Sequence, residues 1–352
     1  MLAQQFAIIE PSMTEWDSFV RGHATGHALQ SSAWGNLKAS VGWLPRRIAI
    51  QGPEGILAGA LLLFRKRYGV SVGYVPRGPV LSGEQSTDAM LFTALRRLAR
   101  GMRAVLLRIE PNVLEGSPGS DVLHSRLLLH NLRVMDTIQP RSSIHLELGP
   151  TSEKLLVGMS KGHRADVRRA AREAVCVRWG NGAAELDMLY SILTETSRRA
   201  QFGIHQRDYY KNVLAQFGAA ARIWIAEHAG QAQAVALTLA WGREALYLYS
   251  GSNEAGLKSG AQHAIQWEVI RWAQECGCAS YDFWGIPDAL GQASLVQNEA
   301  QRAQLEEAAK SEALYGVYRF KKGFGGHIVR YLPAYDMVLL PGLYELVKRQ
   351  IN

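Results

Sequence analysis

Cysteine is scarce in this chain, with only Cys176, Cys276 and Cys278 among 352 residues. An odd count, with the last two one residue apart, fits neither a disulfide framework nor a four-ligand zinc site. The three are expected to be reduced, small core residues of a cytoplasmic protein. Long apolar runs are also missing. The longest, around Ile56 to Phe64, is far below the roughly 20 residues a membrane-spanning helix needs. Met1 to Pro11 carries no basic leader followed by an apolar stretch, so no signal peptide is expected. Only peripheral contact with a membrane stays open. No G-x-S-x-G elbow, Walker A lysine or H-E-x-x-H is found. Nothing in the chain calls for a protein nucleophile, a resident metal or a cofactor.

Acid is outweighed by base. There are 39 Lys and Arg against 31 Asp and Glu, a net charge of +8. That excess favours an anionic partner: a nucleic acid, a phosphorylated metabolite or an acidic membrane surface. The length exceeds what one small core organises and points to two domains.

The order of elements repeats. Ser12-Met13-Thr14-Glu15 reads as a capping box ahead of a helix bearing Trp16, Phe19 and Val20. Strands are predicted at 46–51, 56–64 and 70–75, then a helix at 87–102 and a strand at 104–109. Downstream, strands at 222–227, 232–240 and 245–250 precede a glycine-bearing loop, a helix at 259–275 and a strand at 279–283. Strand–turn–strand–strand–loop–helix–strand therefore occurs twice, which implies two similar α/β domains with mixed sheets. A basic helix lies between the repeats, with Lys161, Arg164, Arg168 and Arg172 spaced to share one face. The Gln/Glu/Ala-rich segment 291–313 reads as one exposed helix inserted before the final motif.

Chemistry concentrates in few places. Phe320-Lys321-Lys322-Gly323-Phe324-Gly325 sets two lysines between aromatics and runs into glycines. Read as an aromatic strand, it holds a cation where it can bind a phosphate or steady an oxyanion. Either Lys321 or Lys322 can be the inward one. Gly251 to Ala261 precedes a helix, where backbone N–H groups favour an anion. Glu110 and Asp282 end equivalent strands, where functional carboxylates often lie; a cap or turn hydrogen bond suits Asp282 better than Glu110. His163, His205 and His263 are the histidines most suited to face a site.

These motifs together resemble one family. Gln30 to Lys38 with Gly42-Trp43, Tyr74 to Pro79, Arg108 to Pro111, the basic helix, Tyr247 to Ser252, Tyr281 to Gly285 and Phe320 to Gly325 occur in its order. The chain resembles the FemABX peptidyltransferases, which build peptidoglycan cross-bridges. The resemblance implies two N-acetyltransferase-like (GNAT-like) domains in an α/β (α+β) fold. Their expected bounds are 1–147 with 331–352, the tail returning to the first domain, and 148–330, the latter holding the basic helix 152–175. It implies transfer of an amino acid from aminoacyl-tRNA to a stem-peptide amine of UDP-MurNAc-pentapeptide or a lipid-linked precursor, by a monomer in the cytoplasm.

By motif position, Lys321 and Phe320 would meet the oxyanion or the terminal adenosine, with Lys322 the competitor. Glu110 would be a peptide contact or proton acceptor. Lys38 would meet the precursor diphosphate, with Trp34, Arg77, Tyr209 and Tyr249 as further contacts. The basic helix would meet tRNA. Family members place an arginine four residues before a tyrosine in the segment matching Gly203 to Tyr210. Here His205 and Gln206 hold those places, so either Arg207 does the phosphate work from a shifted register or precursor binding differs. Two other readings stand beside this one. Gly256 to Ala261 resembles the pyrophosphate loop of acyl-CoA-dependent N-acyltransferases, and the basic helix alone suits a non-catalytic RNA-binding protein.

Overall fold

The computed structural model describes residues 6–348. Two compact units form, one from residues up to Arg141 together with those from Arg330 onward, the other from Ser142–Val329. Strands are numbered in chain order. The first unit holds β1 (Ala7–Ile9), β2 (Leu44–Gly52), β3 (Gly55–Arg67), β4 (Val70–Val75), β5 (Ala104–Ile109) and β6 (Arg133–Met135). The second holds β7 (Ser142–Glu147), β8 (Cys176–Gly180), β9 (Ala221–His228), β10 (Gln231–Trp241), β11 (Glu244–Ser252), β12 (Ser280–Asp282) and β13 (His327–Arg330). The chain then returns to the first unit as β14 (Ala334–Val338).

The first sheet runs β1-β2-β3-β4-β5-β14-β6 and the second β13-β7-β12-β11-β10-β9-β8. In each, three antiparallel strands lead through a helix into a parallel fourth: β4 with β5, and β11 with β12. The repeat read from the sequence is thus the repeat of the fold. Its connecting helices span Gln85–Gly101 and Ala261–Glu275. Each parallel strand is then flanked, antiparallel, by a strand from outside the repeat: β14 beside β5 and β7 beside β12.

Local physics sets the elements. Ser12 Oγ accepts from Glu15 N at 3.3 Å and Glu15 Oε2 accepts from Ser12 N at 3.0 Å, so the capping box forms and Trp16 and Val20 are buried. Residues 58–64 of β3 are buried without alternation, as a strand covered on both faces must be. Leu62, Phe64, Leu91, Leu95 and Tyr335 pack the first core; Tyr247, Ile265, Val269, Phe283 and Phe324 pack the second.

A buried ion pair ties β14 to its sheet. Arg108 Nε donates to Asp336 Oδ1 at 2.8 Å and its Nη2 to Oδ2 at 2.9 Å. Tyr344 Oη donates to the same carboxylate at 3.0 Å. Arg108 and Asp336 are register partners of β5 and β14, so the fork meets the carboxylate across one rung.

Several expectations change. Phe320 to Lys322 is not a strand; Tyr315–Lys322 is a helix. The 291–313 segment holds the end of one helix, Asp288–Leu295, and the whole of a second, Glu299–Ala309, separated by residues 296–298. The basic segment is likewise split into Ser152–Gly158 and Lys161–Arg172. The cysteines are free, but Cys176 and Cys276 are exposed and only Cys278 is buried. No helix among the described residues is long and apolar enough to cross a membrane.

Candidate functional site

In the second unit the chemistry gathers where the parallel pair ends. The β11–β12 ladder stops at Leu246 opposite Asp282. Past that rung β11 continues as Tyr247 and the other chain turns through Trp284 and Gly285. Lys321 occupies this end, 5% exposed. Its Nζ donates to the carbonyls of Trp284 at 2.9 Å and Gly285 at 2.7 Å, and lies 6.0 Å from the Tyr247 ring centre. An ammonium has three donors. Two are spent on carbonyls, which leaves one for a substrate oxygen. Burial pushes the amine down to about 7, with the Asp282 carboxylate partly offsetting that fall.

The helix decides which lysine is inward. Neighbours on an α-helix diverge by about 100°. Lys322 is exposed, with Nζ 5.5 Å from the Tyr318 ring centre. Phe320 is half-buried against His263, Phe324 and His163, at ring distances of 5.0, 5.1 and 5.9 Å. Its carbonyl faces His163 Nε2 at 2.7 Å. Gly323 makes room for the His163 ring, since a Cβ there would lie 2.0 Å from it and force the ring to shift. A cleft of about 610 Å³ opens beside this helix, lined among others by Ser160, His163, Lys310, Arg319 and Lys322.

The turn that holds Lys321 is itself held. Asp282 is fully buried. Its Oδ1 accepts from Trp284 N at 2.6 Å and from Ser143 Oγ. Its Oδ2 lies 3.4 Å from His145 Nε2, and His145 Nδ1 lies 3.9 Å from Glu244 Oε1. Trp284 has φ +63, a left-handed conformation that costs a bulky residue about 1–2 kcal/mol. His145, Glu244 and Asp282 offer donor atoms within 4.8 Å of one another. With one Asp282 oxygen already bonded twice, the cluster works as a clamp on the Trp284 turn. Ser143 and His145 escaped the sequence reading because β7 has no motif of its own.

The basic helix keeps part of its face free. Arg164 donates to the carbonyls of Val157 and Met159, so it caps the preceding helix. Lys161, Arg168 and Arg172 are exposed. His263 is pushed down to about 4, chiefly by burial and then by His163. Arg207 forms an ion pair with Asp187 at 2.6 Å. Beside it His205 stacks on Tyr209 at 3.8 Å, and Tyr249 stands edge-on to Tyr209 at 6.4 Å. Burial raises the Tyr249 hydroxyl well above its usual range. The glycine loop proves to be packing: Gly256 N donates to Asn253 Oδ1 at 2.9 Å, and a Cβ at Gly256 would meet the Gln233 carbonyl at 2.2 Å.

In the first unit three sequence motifs converge. Gln30 Nε2 donates to the carbonyls of Pro76 at 2.6 Å and Leu61 at 3.3 Å, while its Oε1 accepts from Leu61 N at 2.8 Å. Gly78 N donates to the Glu110 carbonyl at 2.8 Å. Lys38 Nζ lies 4.6 Å over the Trp34 ring, one helical turn away. Trp34 is buried, and its Nε1 has no hydrogen-bond partner among the described residues, a cost of about 1–3 kcal/mol. Arg77 turns inward, 3.6 Å over the Tyr331 ring, and donates to the Pro140 carbonyl at 2.8 Å. Glu110 is buried, and burial pushes its carboxyl up. It accepts from Tyr74 Oη at 2.7 Å, Gln139 N at 3.2 Å and Ile138 N. Both its oxygens are engaged, so it anchors the 138–139 turn and is no open proton acceptor.

Comparison with known proteins follows this geometry. The FemAB family model matches residues 12–121, 128–234 and 227–349. A UDP-N-acetylmuramoylpentapeptide-lysine N(6)-alanyltransferase of Weissella viridescens is 28% identical, over 96% of this chain and 98% of that protein. A lipid II:glycine glycyltransferase of Staphylococcus aureus is 23% identical, over 95% and 93%. The crystal structure of FemX is similar at TM-score 0.84 and 20% identity, covering 97% of this chain and 100% of that one. A tandem GNAT protein from the clavulanic acid biosynthesis pathway has TM-score 0.53 at 10% identity, covering 94% and 98%, so both units carry the expected acetyltransferase-like fold. With the family match running through both units, the chain belongs to the FemAB family.

Proposed function

We propose that this protein transfers an amino acid from aminoacyl-tRNA to an amine on the stem peptide of a peptidoglycan precursor. The observation that carries the reading is Lys321, a buried amine with one donor to spare. An aminoacyl ester is already activated. The acceptor nitrogen bonds to the ester carbon, and the carbonyl oxygen takes up negative charge. The ribose oxygen then leaves with the proton the amine gives up. Such a reaction asks for orientation and for a cation at the oxyanion, not for covalent catalysis. Lys321 supplies that cation. In the first unit Lys38, seated over the Trp34 ring, offers a charge to the precursor's phosphates. The relatives' names support the acceptor and the group moved, a muramoyl-pentapeptide or lipid II and an alanyl or glycyl residue. The Gly256 N–H, engaged by Asn253, is not available to an acyl-CoA pyrophosphate.

The test mixes purified protein with labelled aminoacyl-tRNA, across a panel of amino acids, and either UDP-MurNAc-pentapeptide or its lipid-linked form. Label moves to one acceptor and RNase added beforehand abolishes it. Absence of transfer to either acceptor overturns the proposal. Lys161, Arg168 and Arg172 are the cations we assign to the tRNA backbone. Their joint replacement by alanine lowers the slope of log K against log salt for tRNA binding by about 2–3. An unchanged slope removes them from the interface.

A further inference from the structure

We infer that Asp282, fixed by Ser143 and His145, is a positioning residue for the transfer reaction, acting on Lys321 through the Trp284–Gly285 turn and through its own charge. The inference rests on the oxyanion role given above to Lys321.

The argument begins with the backbone. Lys321 can hold its amine in place only while two successive carbonyls, of Trp284 and Gly285, point at it. Successive carbonyls do not converge in extended chain. They do so here because Trp284 is left-handed. The Trp284 N–H is taken by Asp282 Oδ1, two residues earlier, which is the bond that closes the turn. Ser143 donates to the same oxygen, and His145 stands against the other. Both come from β7, whose pairing places His145 opposite Asp282. A strand from outside the repeat thus grips the carboxylate, the carboxylate shapes the turn, and the turn holds the lysine.

Charge supplies the second link. Asp282 is the anion that keeps the buried amine protonated against its desolvation. The titratable groups around this turn are His145 on β7, Glu244 and Tyr247 on β11, and Tyr281 and Asp282 on β12. His163 and His263 pack on the Phe320 side of the helix.

Asp282→Asn keeps the shape and the acceptor for Trp284 N–H but removes the charge. The rate of transfer is bell-shaped in pH: the acceptor amine must lose its proton, and Lys321 must keep its own. In Asp282→Asn the alkaline limb moves down by about one pH unit, and kcat above neutrality falls about tenfold at unchanged KM. A merely structural loss would lower the curve without moving it. The 15Nζ resonance of Lys321, identified by its disappearance in Lys321→Met, is titrated in parallel by NMR. A downward shift of that titration in protein that transfers nothing, before or after mutation, supports the positioning and sinks the transferase reading. An unmoved titration and a superposable pH profile overturn the inference itself. Should Asp282→Asn fail to fold, Ser143→Ala replaces it, releasing one bond on Oδ1. It loses about threefold in kcat at unchanged KM, and wild-type kcat in this variant overturns the inference.

Discussion

Changing Lys321 to alanine lowers kcat by about 10²–10³-fold, the usual consequence of removing one donor from an oxyanion site. KM for the acceptor changes little, because the donor acts on charge that develops only in the transition state. Lys322→Ala loses less than about threefold, since its side chain is exposed and directed to Tyr318. Steady-state kinetics on the two variants check this, and equal losses would show that the helix does not decide between them. Lys321→Met adds a thermodynamic check. The folded amine titrates near 7 and the unfolded one near 10.5. Between those values the unfolded chain holds a proton that the folded chain has released. Stability therefore rises with pH across that window. Denaturant titrations from pH 7 to 10 show that rise in the wild-type protein and a flatter profile in Lys321→Met.

Asp336→Ala destabilises the protein by about 3–5 kcal/mol, because Arg108 is left buried without its carboxylate. Urea denaturation at neutral pH gives the value. Both side chains are almost wholly inaccessible, so water cannot replace the lost partner. Tyr344 loses its acceptor as well. The double variant Arg108→Met with Asp336→Leu recovers most of the loss, since an apolar pair of similar volume carries no desolvation penalty. A double variant no better than Asp336→Ala would show that the pair is needed for more than charge balance.

The repeat was legible because turn residues and apolar runs mark hairpins and parallel strands locally. β4 and β5 lie where the sequence placed them, at Val70–Val75 and Ala104–Ile109. What could not be read is what pairs at a distance. β7 and β14 find their places beside β12 and β5 through register partners far along the chain. Missing β7 hid Ser143 and His145. The Asp282 turn bond was anticipated, but not that the turn would hold Lys321. The aromatic residues around Lys321 suggest a strand, because aromatic side chains favour strands. The helix forms instead with Lys321 and Tyr318 on its buried side. Glu110 stood out at a strand end, yet two of the three donors that occupy it come from residues 138–139.

The place of β14 has a consequence for the order of events at the ribosome. The first sheet needs residues 334–338 between β5 and β6, whereas every strand of the second sheet has been synthesised by residue 330. Domains usually mature from the amino end during synthesis. Here the later unit can be complete while the earlier one still waits with two unpaired strand edges, which are ready templates for wrong pairing. β14 is thus the strand that closes the edges of the first sheet and ends their exposure to aggregation.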